Sequence, residues 1–424
     1  MLRIREYHRV SARASCAYRG SVRAAYSTFL SQEADKISPP KLHLGVFGLG
    51  AIGTIFFTRL GLLAANSKVN TEIPILKVDA FVKPEQFNYW RAKSTLQLCR
   101  EGYKKETLEF RVNSDEKVAT VSGAPNVRVR TLDSGRESSC DDKLDVLLVA
   151  VKAYDSVGVI RELQEKNRHM LKDDALCVLL QNGLGEVPEE QRRSGVGGVE
   201  DCSQFVNGVT FVGGRVVEFG SVVTSGLDAG MTYLAPFDNG KTVDNASEDG
   251  LVVQRERDVK MEMLAQVFLA AGLRCEVLEA SKMQAMLWRK LVVNAAINPL
   301  ASLLDAPNGS IVASEGSREC VAMVVREALA VAQCEQIPLT CSQEELVKDI
   351  LDVARNTSTN VCSMLADLRR GSRTEIDAIT GCIVAGGKRH GIPTPTNDLL
   401  LSLIKALEVE GTRRNKTDCG TCKT

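Results

Sequence analysis

The chain has 424 residues, 44% of them hydrophobic, enough for a large core and for two domains. Net charge is zero, so no basic excess points to nucleic acid, and apolar runs such as Leu144–Val151 are too short to cross a bilayer. The 13 cysteines are odd in number and scattered through apolar segments, which fits free thiols in a reducing compartment better than a disulfide frame. Cys419 and Cys422 form a single CxxC in a polar tail with no second pair, so no metal site is expected.

Residues 1–40 precede the first element. Arg3, Arg5, Arg9, Arg13, Arg19 and Arg23 stand there against the single acid Glu6, among many Ser and Ala. That composition describes a mitochondrial presequence. The alternative is a disordered basic tail on a cytoplasmic protein. Pro39-Pro40 closes the segment.

Leu44–Phe47 reads as a short buried strand, Ala51–Leu63 as a helix and Ile75–Val82 as a second strand, together one βαβ unit. Thr95–Val112 suggests a hairpin turning near Glu101-Gly102. Residues 113–143 are polar and are expected to be a surface insertion. Val146–Val151 and Cys177–Leu180 read as further buried strands, and 205–236 as antiparallel strands closing the sheet. From 258 the strand signal fades. Helical periods take over at 259–271, 281–304, 315–335, 342–369, 374–390 and 396–410. The expected architecture is an α/β Rossmann-type domain over 41–257, an all-α domain over 258–411 and a disordered tail over 412–424.

Between the first strand and its helix lies Gly48-Leu49-Gly50-Ala51-Ile52-Gly53. Gly48 permits a tight turn, Gly50 lets backbone approach a pyrophosphate, and Gly53 lets the helix pack close to the strand. The strand before and the helix after make this GxGxxG specific for a dinucleotide. The ribose reader should stand at the C-terminal end of the second strand. Asp79 there would favour NAD and Lys83 would favour NADP. Asp79 lies mid-strand and Lys83 at the ligand edge, so NADP is expected.

The segment from Leu287 to Leu300 is apolar on nearly every face, as in a buried helix, yet Lys290, Asn294 and Asn298 recur along one stripe. Such a stripe suits a cleft wall. It also suits a structural role, with Lys290 in a salt bridge and Asn298 capping at Pro299. A desolvated lysine has a lowered pKa and can act as a general acid. None of the four histidines stands in a plausible cleft, which makes Lys290 the leading candidate for that acid.

Five blocks then resemble one family, ketopantoate reductase (2-dehydropantoate 2-reductase). They are GLGAIG at 48–53, LLVAVKAYDS at 147–156, LQNGLGE at 180–186 and LWRKLVVNAAINPLASLLDAPNG at 287–309. The last is SMLADLRRGSRTEIDAITG at 363–381, continued by KRHGIPTPTN at 388–397. The resemblance implies a Rossmann domain followed by a helical bundle like that of 6-phosphogluconate dehydrogenase, with the site between them. It implies NADPH-dependent reduction of 2-dehydropantoate to (R)-pantoate, on the way to pantothenate and coenzyme A.

By the same resemblance Lys290 is the general acid, and Glu375 touches the cofactor and helps order the acid. Asn294, Asn298 and Asn308 surround the substrate, and Ser363 holds its carboxylate. Lys152 and Asn182 line the shared site. Lys83 meets the 2′-phosphate and Gly213 makes a backbone contact to the cofactor. The implied partner is a small keto acid. A homodimer is left open. Two other functions stay open: a reductase of the same fold acting on another branched 2-keto acid, and an NADP-binding protein without turnover.

Overall fold

The computed structural model describes residues 41–66, 75–84, 86–88, 94–100, 105–112, 118–131, 142–183, 205–225, 227, 230–237 and 248–420. The presequence reading of residues 1–40 therefore falls outside the described residues. Among the described residues no helix is long and apolar enough to cross a membrane.

β1 (Lys41–Phe47) is flanked by two parallel partners, β2 (Ile75–Val82) and β7 (Leu144–Val149), with Leu44 opposite Val78 and Val146. α1 (Ala51–Asn66) follows β1 and buries Ile55, Phe56, Phe57 and Leu60 against the sheet. The chain leaves β1 on one side for β2 and later returns on the other for β7. The C-terminal end of β1 is thus the switch point where open α/β sheets bind ligands. β8 (Leu171–Leu179) and β9 (Phe205–Thr210) extend the parallel run beyond β7, and α2 (Ala153–Glu165) crosses between β7 and β8. The antiparallel closure expected over 205–236 is present. β9 pairs with β12 (Met231–Pro236), while β10 (Gly213–Glu218) and β11 (Ser221–Ser225) form a hairpin on the far edge. The expected hairpin is β3 (Thr95–Arg100) with β4 (Glu106–Val112).

Three boundaries differ from expectation. The supposed surface insertion at 113–143 contains β5 (Val118–Val121) and β6 (Ala124–Thr131), and β6 lies parallel to β2 inside the sheet. Its Val127-Arg128-Val129-Arg130 alternation looks solvent-facing. The valines are fully buried in the core, and the arginines spend their charge on Asp79. Second, the 257/258 division cuts through α3 (Glu248–Ala270), which packs on β13 (Arg274–Val277), a last strand parallel to β12. A four-residue strand between two helices has little sequence signal of its own. The sheet unit ends at β13, and the helical unit begins at α4 (Ala280–Leu303). Third, the tail read as disordered from 412 is helical to Gly420, in α10 (Pro395–Gly420).

The helical unit continues through α5 (Ser310–Ala313), α6 (Glu315–Cys334), α7 (Gln343–Asn356), α8 (Ser363–Arg369) and α9 (Thr380–His390). The single period expected over 342–369 is thus two helices, parted by a turn at 357–362. Its core gathers Trp288, Leu291, Val292, Ala295 and Ile297 of α4 against Val321, Val324, Ile350, Leu365 and Ile383. A small cluster of Val209, Tyr233, Ala235 and Met283 seats the start of α4 on the β9–β12 edge of the sheet.

Asp79 is fully buried in β2. Arg128 chelates its carboxylate at 2.7 and 2.6 Å, and Arg130 and His43 stand at 3.3 and 3.2 Å. Arg128 also reaches Asp142, which pairs with Lys77. Burial alone would raise the Asp79 carboxyl, but the hydrogen bonds and charges of His43 and Arg128 outweigh it and hold it well below the carboxylate range. Asp142 is likewise lowered to about 2, against burial, by Lys77 and Arg128. Both carboxyls titrate lower folded than unfolded, where an Asp titrates near ~3.9. Their pairing therefore stabilises the fold fully above that pH and is lost as pH falls towards 2 and beyond. Asp79→Asn is expected to cost about 2 kcal/mol at neutral pH and to flatten the acid limb of the stability curve. Urea unfolding at pH 7 and pH 3.5 measures both. An acid limb as steep as wild type would refute it.

Candidate active site

The turn after β1 is stitched to both neighbours. Gly48 N–H donates to Phe81 O at 3.3 Å, and Ala150 N–H donates to Phe47 O at 2.9 Å. Gly48 has φ +91°, and a Cβ on Gly53 would stand 1.8 Å from Gly48 O, so both must be glycine. A Cβ on Gly50 would meet nothing within 4 Å, which leaves open space over the turn. The first N–H groups of α1, at Ala51, Ile52 and Gly53, face that space with Leu49 beside them, and no acid stands in the first turn. A pyrophosphate fits this cradle, with the helix dipole favouring its charge.

Asp79 is committed to its arginines and cannot read a ribose. Lys83 stands exposed just past the end of β2, its backbone N–H bonded to Gln86 at 3.2 Å. Gly213 opens β10 next to α1. The adjoining Gly214 packs so closely that an added Cβ would meet Ile55 at 2.6 Å and Ala51 at 3.4 Å.

α4 brings Lys290 to the end of β9. Its ammonium donates to Thr210 O at 2.8 Å and lies 5.5 Å from the centre of the Phe211 ring. Burial pushes the Lys290 pKa down to about 8, and the charge of Glu375 opposes that shift. The salt bridge of the structural alternative is not what holds it. Among the described residues, its recorded hydrogen bond is to a backbone carbonyl. Asn294 and Asn298 follow one and two turns along the helix, half-buried and buried.

Glu375 comes from the segment before α9. It caps a helix of the sheet unit. Its carboxylate accepts from Ala153 N–H at the start of α2 (3.1 Å), from Asn182 Nδ2 (3.1 Å) and from Lys152 Nζ (3.3 Å). Asp367 of α8, missed from sequence, takes the same ammonium at 2.7 Å. Burial would lower Lys152, but the charges of Glu375 and Asp367 outweigh it and raise its pKa. The two lysines are thus shifted in opposite directions, Lys152 up and Lys290 down. Gly183 (φ +83°) lets the Asn182 turn pass against Ala378, whose carbonyl would stand 2.3 Å from an added Cβ. Thr374, just before Glu375, donates to Glu408 of α10 through both N–H and hydroxyl at 2.6 Å, fixing the segment from behind.

Ser363 is the exposed first residue of α8. Asn308 donates to Thr357 Oγ1 at 2.9 Å and its N–H to Asn360 O at 3.0 Å. Its own Oδ1 is buried without a partner among the described residues. It thereby braces the 357–362 turn that leads into Ser363. Glu375 and Asp367 of the helical unit thus meet Lys152 and Asn182 of the sheet, beside the glycine turn, and Lys290 meets the end of β9. Lys83 stands apart, at the β2 end. Among the described residues, no cluster of His, Cys, Asp and Glu could hold a metal, and eight cysteines from Cys99 to Cys382 form no disulfide.

Two family models match, ketopantoate reductase PanE/ApbA over residues 44–239 and its C-terminal counterpart over 282–408. The chain belongs to the ketopantoate reductase family. As a member it is an oxidoreductase. A 2-dehydropantoate 2-reductase of Archaeoglobus fulgidus is 31% identical over 289 residues, covering 68% of this chain and 83% of the relative. One from Vibrio cholerae is 30% identical, over 62% and 78%. Among solved structures, 2-dehydropantoate 2-reductase from Geobacter metallireducens aligns with TM-score 0.61 at 21% identity, covering 86% of this chain and 99% of that one. A D-mandelate dehydrogenase with NADH and anilino(oxo)acetate aligns with TM-score 0.64 at 20% identity, covering 88% and 100%. These structural likenesses carry the fold: a Rossmann-type sheet domain joined to a helical domain. The gap between the two family models, residues 240–281, holds α3, which the expected division cut, and β13.

Proposed function

We propose that the enzyme reduces 2-dehydropantoate to (R)-pantoate with NADPH, a step that feeds pantothenate and coenzyme A synthesis. The observation that carries the reading is geometric: Glu375 of the helical unit gathers Lys152, Asn182 and the Ala153 N–H, while the Lys290 ammonium rests on a neutral carbonyl, Thr210 O. The glycine turn and the first N–H groups of α1 would hold NADPH, which would supply the hydride. The chain's residues do the rest. Lys290 protonates the C2 oxygen as negative charge develops there. Lys152 and Asn182, held by Glu375, line the cofactor and substrate side. Ser363, at the first N–H groups of α8, takes the substrate carboxylate, while Asn294, Asn298 and Asn308 hold its polar groups in reach. Gly213 places backbone against the cofactor.

The names of the relatives support 2-dehydropantoate as substrate, and the open cradle over Gly50 supports the dinucleotide. Lys83 supports NADPH over NADH, since an exposed ammonium at the β2 end meets a 2′-phosphate. NADPH oxidation by the full chain with 2-dehydropantoate, NADH run alongside, tests the reading. No turnover with either cofactor would reject it. Lys83→Ala is expected to raise KM for NADPH roughly 10-fold and leave KM for NADH unchanged. Equal effects on the two cofactors would remove Lys83 from the 2′-phosphate.

A further inference from the structure

Phe211 is a large apolar side chain that the sheet does not bury. It is 50% exposed, in the two-residue link between β9 and β10. That link is not loose. Phe211 N–H donates to Met231 O at 2.8 Å, Val212 N–H donates to Thr210 Oγ1 at 3.2 Å, and the ring meets Tyr233 edge-on at 6.1 Å. The residue before it accepts the Lys290 ammonium, and the residues after it lie against the first turn of α1. The exposed ring therefore stands beside the Lys290 ammonium, on a fixed backbone that runs on to the cofactor helix.

An exposed aromatic at a fixed place beside a catalytic group gains its apolar burial when a ligand arrives. A substrate whose carbonyl oxygen approaches Lys290 Nζ to ~3 Å on the side of the ring, itself centred 5.5 Å from that ammonium, brings the carbon next to its carbonyl into contact reach of the ring. Resting on the reading of function above, the geometry points to Phe211 as a specificity-determining residue, its ring forming the apolar wall against which the branched C3 of the 2-keto acid packs. The ring selects for methyl groups at C3 and is indifferent to the carboxylate, which belongs to the α8 side of the cleft. The Lys290 ammonium already occupies one approach to the ring, so the substrate packs on what remains exposed.

The test uses the full chain and two substrates, dimethyl-branched 2-dehydropantoate and unbranched pyruvate. The ratio of their kcat/KM values is compared in wild type, Phe211→Ala and Phe211→Leu. Removing the wall is expected to lower the branched-to-unbranched ratio about 10-fold, with Leu restoring most of it. NADPH affinity, read by quenching of its fluorescence titration, is measured on the same proteins. A ratio unchanged in Phe211→Ala overturns the assignment. If NADPH binding weakens while the ratio holds, the ring serves the cofactor and the assignment again fails. Wild-type protein that reduces neither acid overturns the functional reading and this inference together. Turnover of both acids with an unmoved ratio removes only the inference.

Discussion

Lys290→Ala is expected to lower kcat by about 100-fold or more while NADPH still binds. The ammonium has one strong anchor, Thr210 O at 2.8 Å, and a carbonyl accepts a hydrogen bond without taking the proton. Burial lowers the pKa to about 8, which keeps the amine protonated at neutral pH yet weakly enough held to give the proton up. The sign of the pH dependence follows. Reduction needs the ammonium, so kcat/KM is flat below the pKa and falls tenfold per pH unit above about 8. Oxidation of the hydroxy acid needs the free amine, so the reverse reaction rises through the same pH. Lys290→Arg keeps the charge but cannot release a proton near neutrality, and it should not rescue the rate. Profiles in both directions that break the same way, or Ala protein turning over near the wild-type rate, would show the acid to be another group.

The parts of this site that were legible in the sequence were those with a local signature. The glycine turn is one, because Gly48, Gly50 and Gly53 are fixed by contacts within a few residues and with the neighbouring strand. The Lys290–Asn298 stripe is another, because a polar run on a dry helix violates its surroundings. Asp79 was set aside as a ribose reader from its mid-strand position alone, and the buried arginine cage around it supplies a physical reason for that. Asp367 left no such trace. It lies within a matched block, but Asp367 and Arg370 three residues on read as a surface helix pair, and the bond to Lys152 spans 215 residues. Phe211 and Thr210 were missed because the link between β9 and β10 reads as one more strand residue and a turn. β6 was lost for a different reason. Its arginines are polar by composition and core-facing by pairing, and only the placement of Asp79 and Asp142 distinguishes the two.

Glu375→Ala is expected to damage both stability and rate, and the two effects separate. The side chain is buried, at 5% exposure, and accepts from Ala153 N–H, Asn182 and Lys152. Its loss leaves a helix N–H and an amide without their acceptor. Lys152 keeps Asp367 and is a third exposed, so its share is discounted. A cost of about 2–3 kcal/mol is expected in urea unfolding. Glu375→Gln keeps the volume but turns an amide N–H₂ towards Lys152 or Asn182, both donors, so it should recover little. The sharper consequence concerns Lys290. Burial lowers that pKa, and the Glu375 charge is what holds it up. Removing the charge leaves burial unopposed, so the break in the kcat/KM profile moves to lower pH in both variants. At neutral pH less of the ammonium remains protonated, and with the Lys152–Asn182 wall loosened kcat/KM falls by about 100-fold. A structural role alone would lower stability and leave the break in place. A break that stays near 8, or moves up, would mean that Glu375 does not act on the acid.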